Sequence, residues 1–173
     1  MVAKKLRASA FIEGSNIYFA QRKMGKWLDW VRVGEYLKEN FKITKISYYA
    51  GVRTGDREVQ SFLEKLRKVG FDVITKQVKI IIDETGRRVE KANFDVEITT
   101  DILRSFEKVD VVILFSGDSD FNYLVKILRH DKKQVRVYSS RKTLSWELRL
   151  SANKHIFLKD LPELTKKEKF ARI

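Results

Sequence analysis

The sequence lacks cysteine altogether and has one proline and two histidines among 173 residues. Without cysteine, the chain can form no disulfide, thiolate metal site or cysteine nucleophile, and it gives no indication of an oxidising compartment. Neither His130 nor His155 adjoins a plausible nucleophile, which disfavours a histidine-based mechanism. No uninterrupted apolar run approaches the ~18 residues that a membrane helix needs. We therefore expect a cytoplasmic protein with no membrane partner.

Acidic side chains are in the minority: 36 lysines and arginines stand against 23 aspartates and glutamates, which gives a formal net charge of +13. This charge is spread along most of the chain and favours a polyanionic partner, of which nucleic acid is the commonest. The alternative is that these charges only solvate helix faces. With 43% hydrophobic residues, the chain suits one globular domain with one core. The oligomeric state stays open, and a homodimer is one option.

Apolar runs alternate with helical patterns along the chain. Because parallel strands need crossover connections, this alternation predicts an α/β domain with a mainly parallel central sheet and helices on both faces. The predicted strands cover residues 8–12, 43–51, 71–77, 109–115, 134–139 and 155–158. The predicted helices cover residues 17–24, the segment from Asp29 to Phe41, the segment between the N-cap Asp56 and the C-cap Gly70, the segment from Asp95, residues 121–130, and a shorter helix within residues 143–154.

Spacing also predicts which faces of two helices are buried. In the helix from Asp95, apolar residues and one threonine recur at helical intervals and predict one buried face. The members of this face are Val96, Thr99, Ile102, Leu103 and Phe106. The shorter helix near residue 146 has a less regular pattern. Its apolar members are Leu144, Trp146, Leu148 and Leu150.

The segment "VKIIIDETGRRVEK" at 78–91 predicts a hairpin that turns between Asp83 and Gly86 and lies at an edge of the fold. Pro162, the single proline, is the predicted end of the core. We therefore assign residues 1–161 to the domain and residues 162–173 to a basic C-terminal tail, frayed or helical, whose large apolar residues beyond Leu164 are Phe170 and Ile173.

Carboxylates follow two of the most apolar strands. Glu13 ends the first strand, Asp118 and Asp120 follow the strand at 110–115, and Asp95 begins the helix before that strand. In parallel α/β sheets the ligand site lies beyond the carboxyl ends of the strands, so these residues can share one crevice. The turns "EGSN" and "SGDSD" match neither glycine-rich phosphate-binding signature. The carboxylates themselves are therefore the candidate chemistry.

Clustered carboxylates need a countercharge. Two of them about 6 Å apart repel by about 3 kcal/mol at an effective dielectric constant of about 20. A hard divalent cation such as Mg²⁺ or Mn²⁺ suits an all-oxygen cluster, and it can both activate water and neutralise a phosphate. Metal-assisted phosphodiester hydrolysis fits this arrangement.

Each acidic residue also has a plain structural explanation. Asp95 and Asp120 stand where helix N-caps occur, and Glu13 stands where a surface turn residue would. Asp118 is harder to explain in this way, because a second carboxylate follows it two residues later. Asp101 lies about 120° around the predicted helix from Asp95, so we expect it either to support the metal ligands from behind or to be structural.

Three segments together resemble a known family. They are "SAFIEGSNIYFA" at 9–20, "KANFDVEITTDIL" at 91–103 and "VVILFSGDSDFNYLVKIL" at 111–128. In this order and spacing they are similar to the motifs of the NYN domain, in the LabA-like branch of the PIN-like nucleases. The segments "ISYYAGVR" and "SWELRLSANKHIFL" are similar to that branch as well, so the resemblance extends to about Leu161.

The resemblance implies a Rossmann-like three-layer α/β/α PIN-like fold and a Mg²⁺- or Mn²⁺-dependent ribonuclease acting on single-stranded RNA, with the acids holding the metal. Asn16, Asp95, Asp118 and Asp120 match the motif residues. Glu13 departs from the pattern, because the family usually has aspartate there. Its extra methylene moves the carboxylate by about one C–C bond, which allows a contact through water or weakens direct metal binding.

The expected roles divide among three groups of residues. Asp118 and Asp95 bind the metal, Glu13 binds it directly or through water, and Asp120 completes the cluster. Asn16 and Ser116 orient water or phosphate through hydrogen bonds, although Asn16 also suits a turn. Basic residues that follow the strand ends or lie on the first helix are expected to rim the acids and track phosphates, or else to be solvated surface charges. These basic residues are Arg53, Arg57, Arg141, Lys142, Arg22 and Lys23.

Two other functions compete with the nuclease. A catalytically silent RNA-binding or regulatory module would keep the fold and the basic rim without metal-dependent activity. A phosphatase-like hydrolase fits less well, because the chain has no aspartyl nucleophile followed by a partner lysine in the needed order.

Overall fold

The computed structural model of the protein describes residues 4–82 and 84–166. Single turns of 3-10 helix occupy Phe106–Lys108, Ser119–Phe121, Leu158–Asp160 and Pro162–Leu164. In chain order, the strands and α-helices are β1 (Arg7–Glu13), α1 (Gly14–Met24), β2 (Trp27–Leu28), α2 (Trp30–Asn40), β3 (Lys42–Val52), α3 (Arg57–Lys68), β4 (Asp72–Gln77), β5 (Lys79–Ile82), β6 (Arg88–Lys91), α4 (Asp95–Ser105), β7 (Val111–Phe115), α5 (Asn122–His130), β8 (Gln134–Ser139), α6 (Trp146–Ser151), β9 (Lys154–Phe157) and β10 (Thr165–Lys166).

Six strands form the central sheet in the order β4-β3-β1-β7-β8-β9, and every neighbouring pair is parallel. The chain begins in the middle with β1, moves outward through β3 and β4, returns to β7, and moves outward again through β8 and β9. The strand order therefore reverses between β1 and β7. Crevices at such a reversal are where open α/β sheets bind ligands.

Helices cover both faces of the sheet. Helices α1, α2 and α3 contribute Ile17, Val33 and Phe62 to a core on one face, and α4 and α5 contribute Ile98 and Val125 to a core on the other. Strand residues alternate between the two cores, as successive side chains of a strand must. The predicted three-layer α/β/α fold with a parallel sheet is confirmed.

The helix boundaries follow local capping chemistry. Asp29 Oδ1 accepts a hydrogen bond from the Val31 backbone N–H at 3.1 Å, and Asp56 Oδ1 accepts one from Val59 at 3.0 Å. Both carboxylates satisfy amide groups that the first turn of a helix leaves without partners. Gly70, with φ of +91°, ends the α3 segment in the left-handed conformation, as predicted. Phe41 is already extended, although its side chain is still buried beside α2.

The predicted buried faces of α4 and α6 are partly wrong. Val96 and Leu103 are 75% and 49% exposed, and the buried side chains of α4 are Ile98 and Ile102. The helix carries two adjoining apolar stripes, and a turn of about one residue position about its axis decides which stripe faces the core. On α6 only Leu148 of the predicted apolar set is buried, whereas Trp146 and Leu150 are about 70% exposed.

The hairpin forms as predicted but as a sheet of its own. Strands β5 and β6 pair only with each other and do not extend the central sheet. The predicted turn residue Asp83 lies outside the described residues. No helix in the described ranges has both the length and the apolar character to cross a membrane.

The core continues beyond Pro162, where the sequence predicted its end. Leu164 is 2% exposed and belongs to the core under α1–α3. The following strand β10 pairs antiparallel with β2. Residues 167–173 of the predicted tail lie outside the described part of the chain.

Candidate functional site

Glu13 is the last residue of β1 and is 8% exposed, at the reversal of strand order. Ser116, which directly follows β7, donates a hydrogen bond from Oγ to Glu13 Oε2 at 2.5 Å. The same Ser116 oxygen accepts a hydrogen bond from the Asp118 backbone N–H at 3.1 Å. Ser116 is fully buried, so its hydroxyl links the two acids from inside the protein. The hydroxyl that we expected to orient water or phosphate is committed to these two protein groups.

Burial raises the pKa of Glu13 to about 7, from an ordinary value of 4.5. Hydrogen bonds from Ser116 and Ser15 oppose this rise, and the nearby carboxylates of Asp118 and Asp95 add to it. Desolvation and like charges both disfavour an ionised carboxylate. Glu13 is therefore a buried acid and not the surface turn residue of the plain alternative.

Asp118 caps the 3-10 turn at Ser119–Phe121. Its Oδ1 accepts a hydrogen bond from the Asp120 backbone N–H at 3.1 Å. The sequence suggested the opposite assignment, with Asp120 as the cap and Asp118 gaining little from capping. Asp118 is half-buried and Asp120 is exposed. Asp120 thus has a carboxylate that the turn does not use.

Asp95 is the first residue of α4, and it is not the N-cap that the plain alternative proposed. Its backbone N–H donates to Asn93 Oδ1 at 2.8 Å, so Asn93 takes the capping role. The pKa of the Asp95 carboxyl is raised, chiefly by burial, with the charges of Asp118, Asp120 and Glu97 adding to the effect. These mutual effects show that the predicted acids lie in one electrostatic neighbourhood.

The acids do not form a ready metal-binding group. Among residues 4–82 and 84–166, no three carboxylate or imidazole side chains stand together in a way that could hold a metal ion. The donors of this neighbourhood are nevertheless all oxygen, which suits Mg²⁺ or Mn²⁺. Mg²⁺ usually takes one or two carboxylates and keeps several waters, so it does not need a cage of protein ligands. The residues present fit such an ion.

The loop that bears Asp118 is held on both sides. Asn16 Oδ1 accepts a hydrogen bond from the Gly117 backbone N–H at 2.9 Å, and the Gly117 carbonyl accepts one from the Ser145 N–H at 2.9 Å. A Cβ atom at Gly117 would lie 2.2 Å from the Thr143 carbonyl oxygen, so only glycine fits there. Asn16 therefore positions the loop through its side-chain oxygen. Sequence reasoning missed Gly117, Thr143 and Ser145, because their contacts join segments far apart in the chain.

Asp101 has the structural role that the sequence predicted. Its Oδ2 accepts a hydrogen bond from the Tyr49 hydroxyl at 2.7 Å. Tyr49 is the residue of β3 that pairs with Glu13 in the sheet register. The contact ties α4 to the strand beside Glu13.

The predicted basic rim is only partly available to a ligand. Arg53 forms an ion pair with Glu90 of β6, and Arg141 lies 3.2 Å from Asp160 and over the ring of Phe157. The other two predicted members of the rim, Arg57 and Lys142, are exposed.

Arg22 and Lys23 do not belong to this rim. They lie in the last turn of α1, and this helix begins at Gly14, directly after Glu13. At 1.5 Å per residue, the last turn is about 13 Å from the first.

The sequence pattern of one family covers this arrangement. The model of the NYN domain matches residues 7–159. This chain belongs to the NYN domain family. NYN domains are generally nucleases, and the match includes every acid of the site. The predicted resemblance is confirmed.

Two relatives agree with this assignment. This chain is 31% identical over 171 residues to Low amplitude and bright protein LabA of Synechococcus elongatus, and the alignment covers 96% of this chain and 91% of LabA. It is also similar to the crystal structure of a protein of unknown function from Vibrio parahaemolyticus. That likeness has a TM-score of 0.77 and 27% identity, and it covers 92% of this chain and 97% of the other.

Proposed function

We propose that this NYN domain is a metal-dependent ribonuclease that hydrolyses phosphodiester bonds of single-stranded RNA. The observation that supports the proposal is that Ser116 links buried Glu13, with its pKa raised to about 7, to the Asp118 loop at the reversal of strand order. Raised pKa values of this kind cluster at functional sites. A net charge of +13 on the whole chain suits a polyanionic substrate.

Asp118 and Asp95 would hold the metal, Glu13 would bind it directly or through one water, and Asp120 would complete the negative neighbourhood. Bound Mg²⁺ or Mn²⁺ would lower the pKa of a coordinated water and neutralise charge on the phosphate. Glu13 holds a proton below a pH of about 7 and would have to give it up to water before its carboxylate could serve as a ligand. Ser116 would fix Glu13 in place throughout, through its 2.5 Å hydrogen bond.

Substrate positioning would fall to residues outside the acids. Arg57 and Lys142 are exposed and would contact phosphates. Asn16 and Ser116 contribute by holding the loop and Glu13, through the contacts to Gly117 and to the Glu13 carboxylate. Arg53 and Arg141 would contribute less to phosphate binding, because each is already paired with a carboxylate.

A second candidate function is a catalytically silent RNA-binding or regulatory module with the same fold. The specific observation in its favour is that no three metal-binding side chains of the described ranges form a ready group. Both candidates predict RNA binding, and they differ in metal-dependent cleavage.

The test is incubation of the protein with end-labelled single-stranded RNA in Mg²⁺, in Mn²⁺ and in EDTA. The nuclease predicts shorter products that need the metal and that disappear in Asp118→Asn. A matched control is Asp72→Asn at the opposite end of the sheet, where the carboxylate pairs with Lys45 at the surface. RNA binding without any metal-dependent product would establish the silent module instead.

A further inference from the structure

A groove opens next to the acids, between the start of α1, the end of β3 and the β5–β6 hairpin. Its volume is about 220 Å³. This lies below the range of about 300–1,000 Å³ typical of pockets for drug-sized ligands, so it suits a single planar ring system. The groove is lined by Ser15, Tyr18, Phe19, Gly51, Arg53, Asp56, Val59, Val78, Glu90 and Ala92.

Ser15 connects the groove to the acids. It lines the groove, it stands two residues after Glu13, and its hydroxyl lowers the pKa of that carboxyl. A ligand in the groove would therefore contact a residue that lies two positions from the buried carboxylate. The groove and the acids are parts of one surface at the carboxyl ends of β1 and β3.

Phe19 gives the groove an aromatic wall. Its side chain is 54% exposed, although its ring is large and apolar. The Tyr18 ring meets it edge-on, with 5.8 Å between centroids and 72° between planes. An edge-on neighbour leaves a ring face for stacking. Aromatic faces of this kind hold the bases of single-stranded nucleic acids.

The Arg53–Glu90 pair gives the groove a polar wall with both donors and an acceptor. Arg53 donates from Nη2 to Glu90 Oε2, and a guanidinium has further N–H groups while a carboxylate has a second oxygen. Guanine is the base that offers two adjacent donors, N1–H and N2–H, beside an acceptor, O6. A carboxylate and a guanidinium side by side match that edge.

The geometry points to this groove as a subsite for one nucleobase of a single-stranded RNA, with guanine preferred. The base stacks on Phe19, its edge contacts Arg53 and Glu90, and its phosphodiester lies toward Glu13. The assignment deepens the proposed function, because it names what the nuclease recognises next to the bond that it cuts. It also changes the expected role of Arg53 from phosphate contact to base contact.

The test measures binding of fluorescein-labelled RNA decamers in EDTA, where no cleavage occurs. One decamer is all uracil, and three others carry a single central guanine, adenine or cytosine. The parent should bind the guanine decamer several-fold more tightly than the others. Phe19→Leu keeps apolar bulk without an aromatic face and should weaken binding about tenfold. Phe19→Tyr keeps an aromatic face and should bind as tightly as the parent.

Two further variants separate the walls of the groove. Glu90→Gln should remove the preference for guanine while retaining most of the affinity for the uracil decamer. Val31→Ala, at an exposed apolar residue of α2 that does not line the groove, is the matched control and should bind as the parent does. Thermal unfolding of each variant checks that it is folded.

Equal affinity of the parent for all four decamers, or unchanged binding by Phe19→Leu, would overturn the subsite. Loss of affinity in Tyr123→Ala with none in Phe19→Leu would do so as well, because it would place stacking on α5. Cleavage in Mg²⁺ is measured separately on the same proteins. Cleavage that does not depend on Phe19 would support the nuclease and contradict the subsite. Guanine-dependent binding through Phe19 without any cleavage would support the subsite and contradict the nuclease.

Discussion

Ser116 Oγ donates a 2.5 Å hydrogen bond to Glu13 Oε2, across 103 positions of the sequence. Glu13 is the most strongly shifted acid of the site, and this bond favours its ionised form. The serine therefore lowers the pH at which the carboxylate ionises.

Ser116→Ala removes this bond, and the pKa of Glu13 should rise above its present value of about 7. Because the metal needs the ionised carboxylate, the acidic limb of the pH–rate profile should move to higher pH. Ser105→Ala, at a hydroxyl that bonds the Ile102 carbonyl at the end of α4, is the control and should leave the profile in place. The measurement is the rate of RNA cleavage from pH 5 to pH 9. An unshifted limb would show that Glu13 ionisation does not limit the reaction.

Glu13→Gln should change how stability depends on pH in the absence of metal. The pKa of Glu13 is raised from 4.5 in the unfolded chain to about 7 in the native protein. This group therefore favours the native state most at pH below 4.5, and the advantage is lost as the pH rises through 7. The variant should gain about 3 kcal/mol relative to the parent between pH 4.5 and pH 8. Urea unfolding in EDTA at the two pH values measures this gain, and parallel stability curves would contradict it.

The same residue tests the departure from the family pattern. Glu13→Gln deletes a negative charge and keeps the size, so the metal concentration for half-maximal activity should rise. Glu13→Asp restores the family's usual acid and should cleave at least as fast as the parent, unless the surrounding residues have adapted to glutamate and the shorter acid leaves a gap. Metal titrations of the three proteins separate these results. Identical metal dependence in all three proteins would show that Glu13 does not bind the metal.

Asp118→Asn should lower metal-dependent cleavage by about 100-fold or more, while RNA affinity in EDTA stays within a few-fold of the parent. The substitution removes a ligand charge without enlarging the side chain. The side-chain oxygen of asparagine can still accept the hydrogen bond from the Asp120 N–H, so the loop should keep its fold. Cleavage rates and binding isotherms of one preparation give both quantities. A fully active variant would show that Asp118 is not a metal ligand.

Arg57 and Lys142 should bind RNA phosphates in a way that Arg53 and Arg141 do not. Replacing the first two by glutamine should reduce the slope of log affinity against log salt by about 0.7 for each phosphate that is no longer neutralised. The matched control replaces Lys42 and Lys154, which are exposed at the other end of the sheet. The comparison is made by titration of RNA at several salt concentrations. Equal slopes in the two double variants would place the RNA path elsewhere.

Gly117→Ala should destabilise the protein by more than about 2 kcal/mol and abolish cleavage. The added Cβ would meet the Thr143 carbonyl at 2.2 Å, so the loop that bears Asp118 must shift. Gly34→Ala is the control inside α2, where the added atom would make ordinary contact with the Phe71 ring at 3.4 Å. It should be neutral or stabilising by up to about 1 kcal/mol. Urea unfolding of both variants gives the comparison.

The parallel α/β sheet with helices on both faces was predictable, because short apolar runs alternate with helical patterns along the chain. The buried face of α4 was not. Val96 and Leu103 have suitable spacing, but Ile98 and Ile102 have it as well, and spacing alone does not choose between two adjoining apolar stripes. The sheet makes that choice.

The contacts of polar residues were the least predictable part of the site. Nothing near Arg53 in the sequence indicates that it pairs with Glu90, which lies 37 positions away on the hairpin. Likewise, the sequence predicted that Ser116 orients water or phosphate, and nothing near it indicates the bond to Glu13. Its role depends on β1 and β7 being neighbours, and that follows from the topology of the whole sheet.

The position of β1 in the middle of the sheet also determines the stage of folding at which the acidic site can form. Its two neighbours are supplied by distant segments, since Ala8 pairs with Ile43 on one side and with Val111 on the other. Such non-local pairings form late, because the chain loses the entropy of closing long loops before the strand contacts can stabilise it. Glu13 meets Ser116 only when β7 has joined the sheet. A ribosome-bound or half-folded chain therefore has no assembled acidic site, and the proposed nuclease would reach its cutting state only after folding is complete.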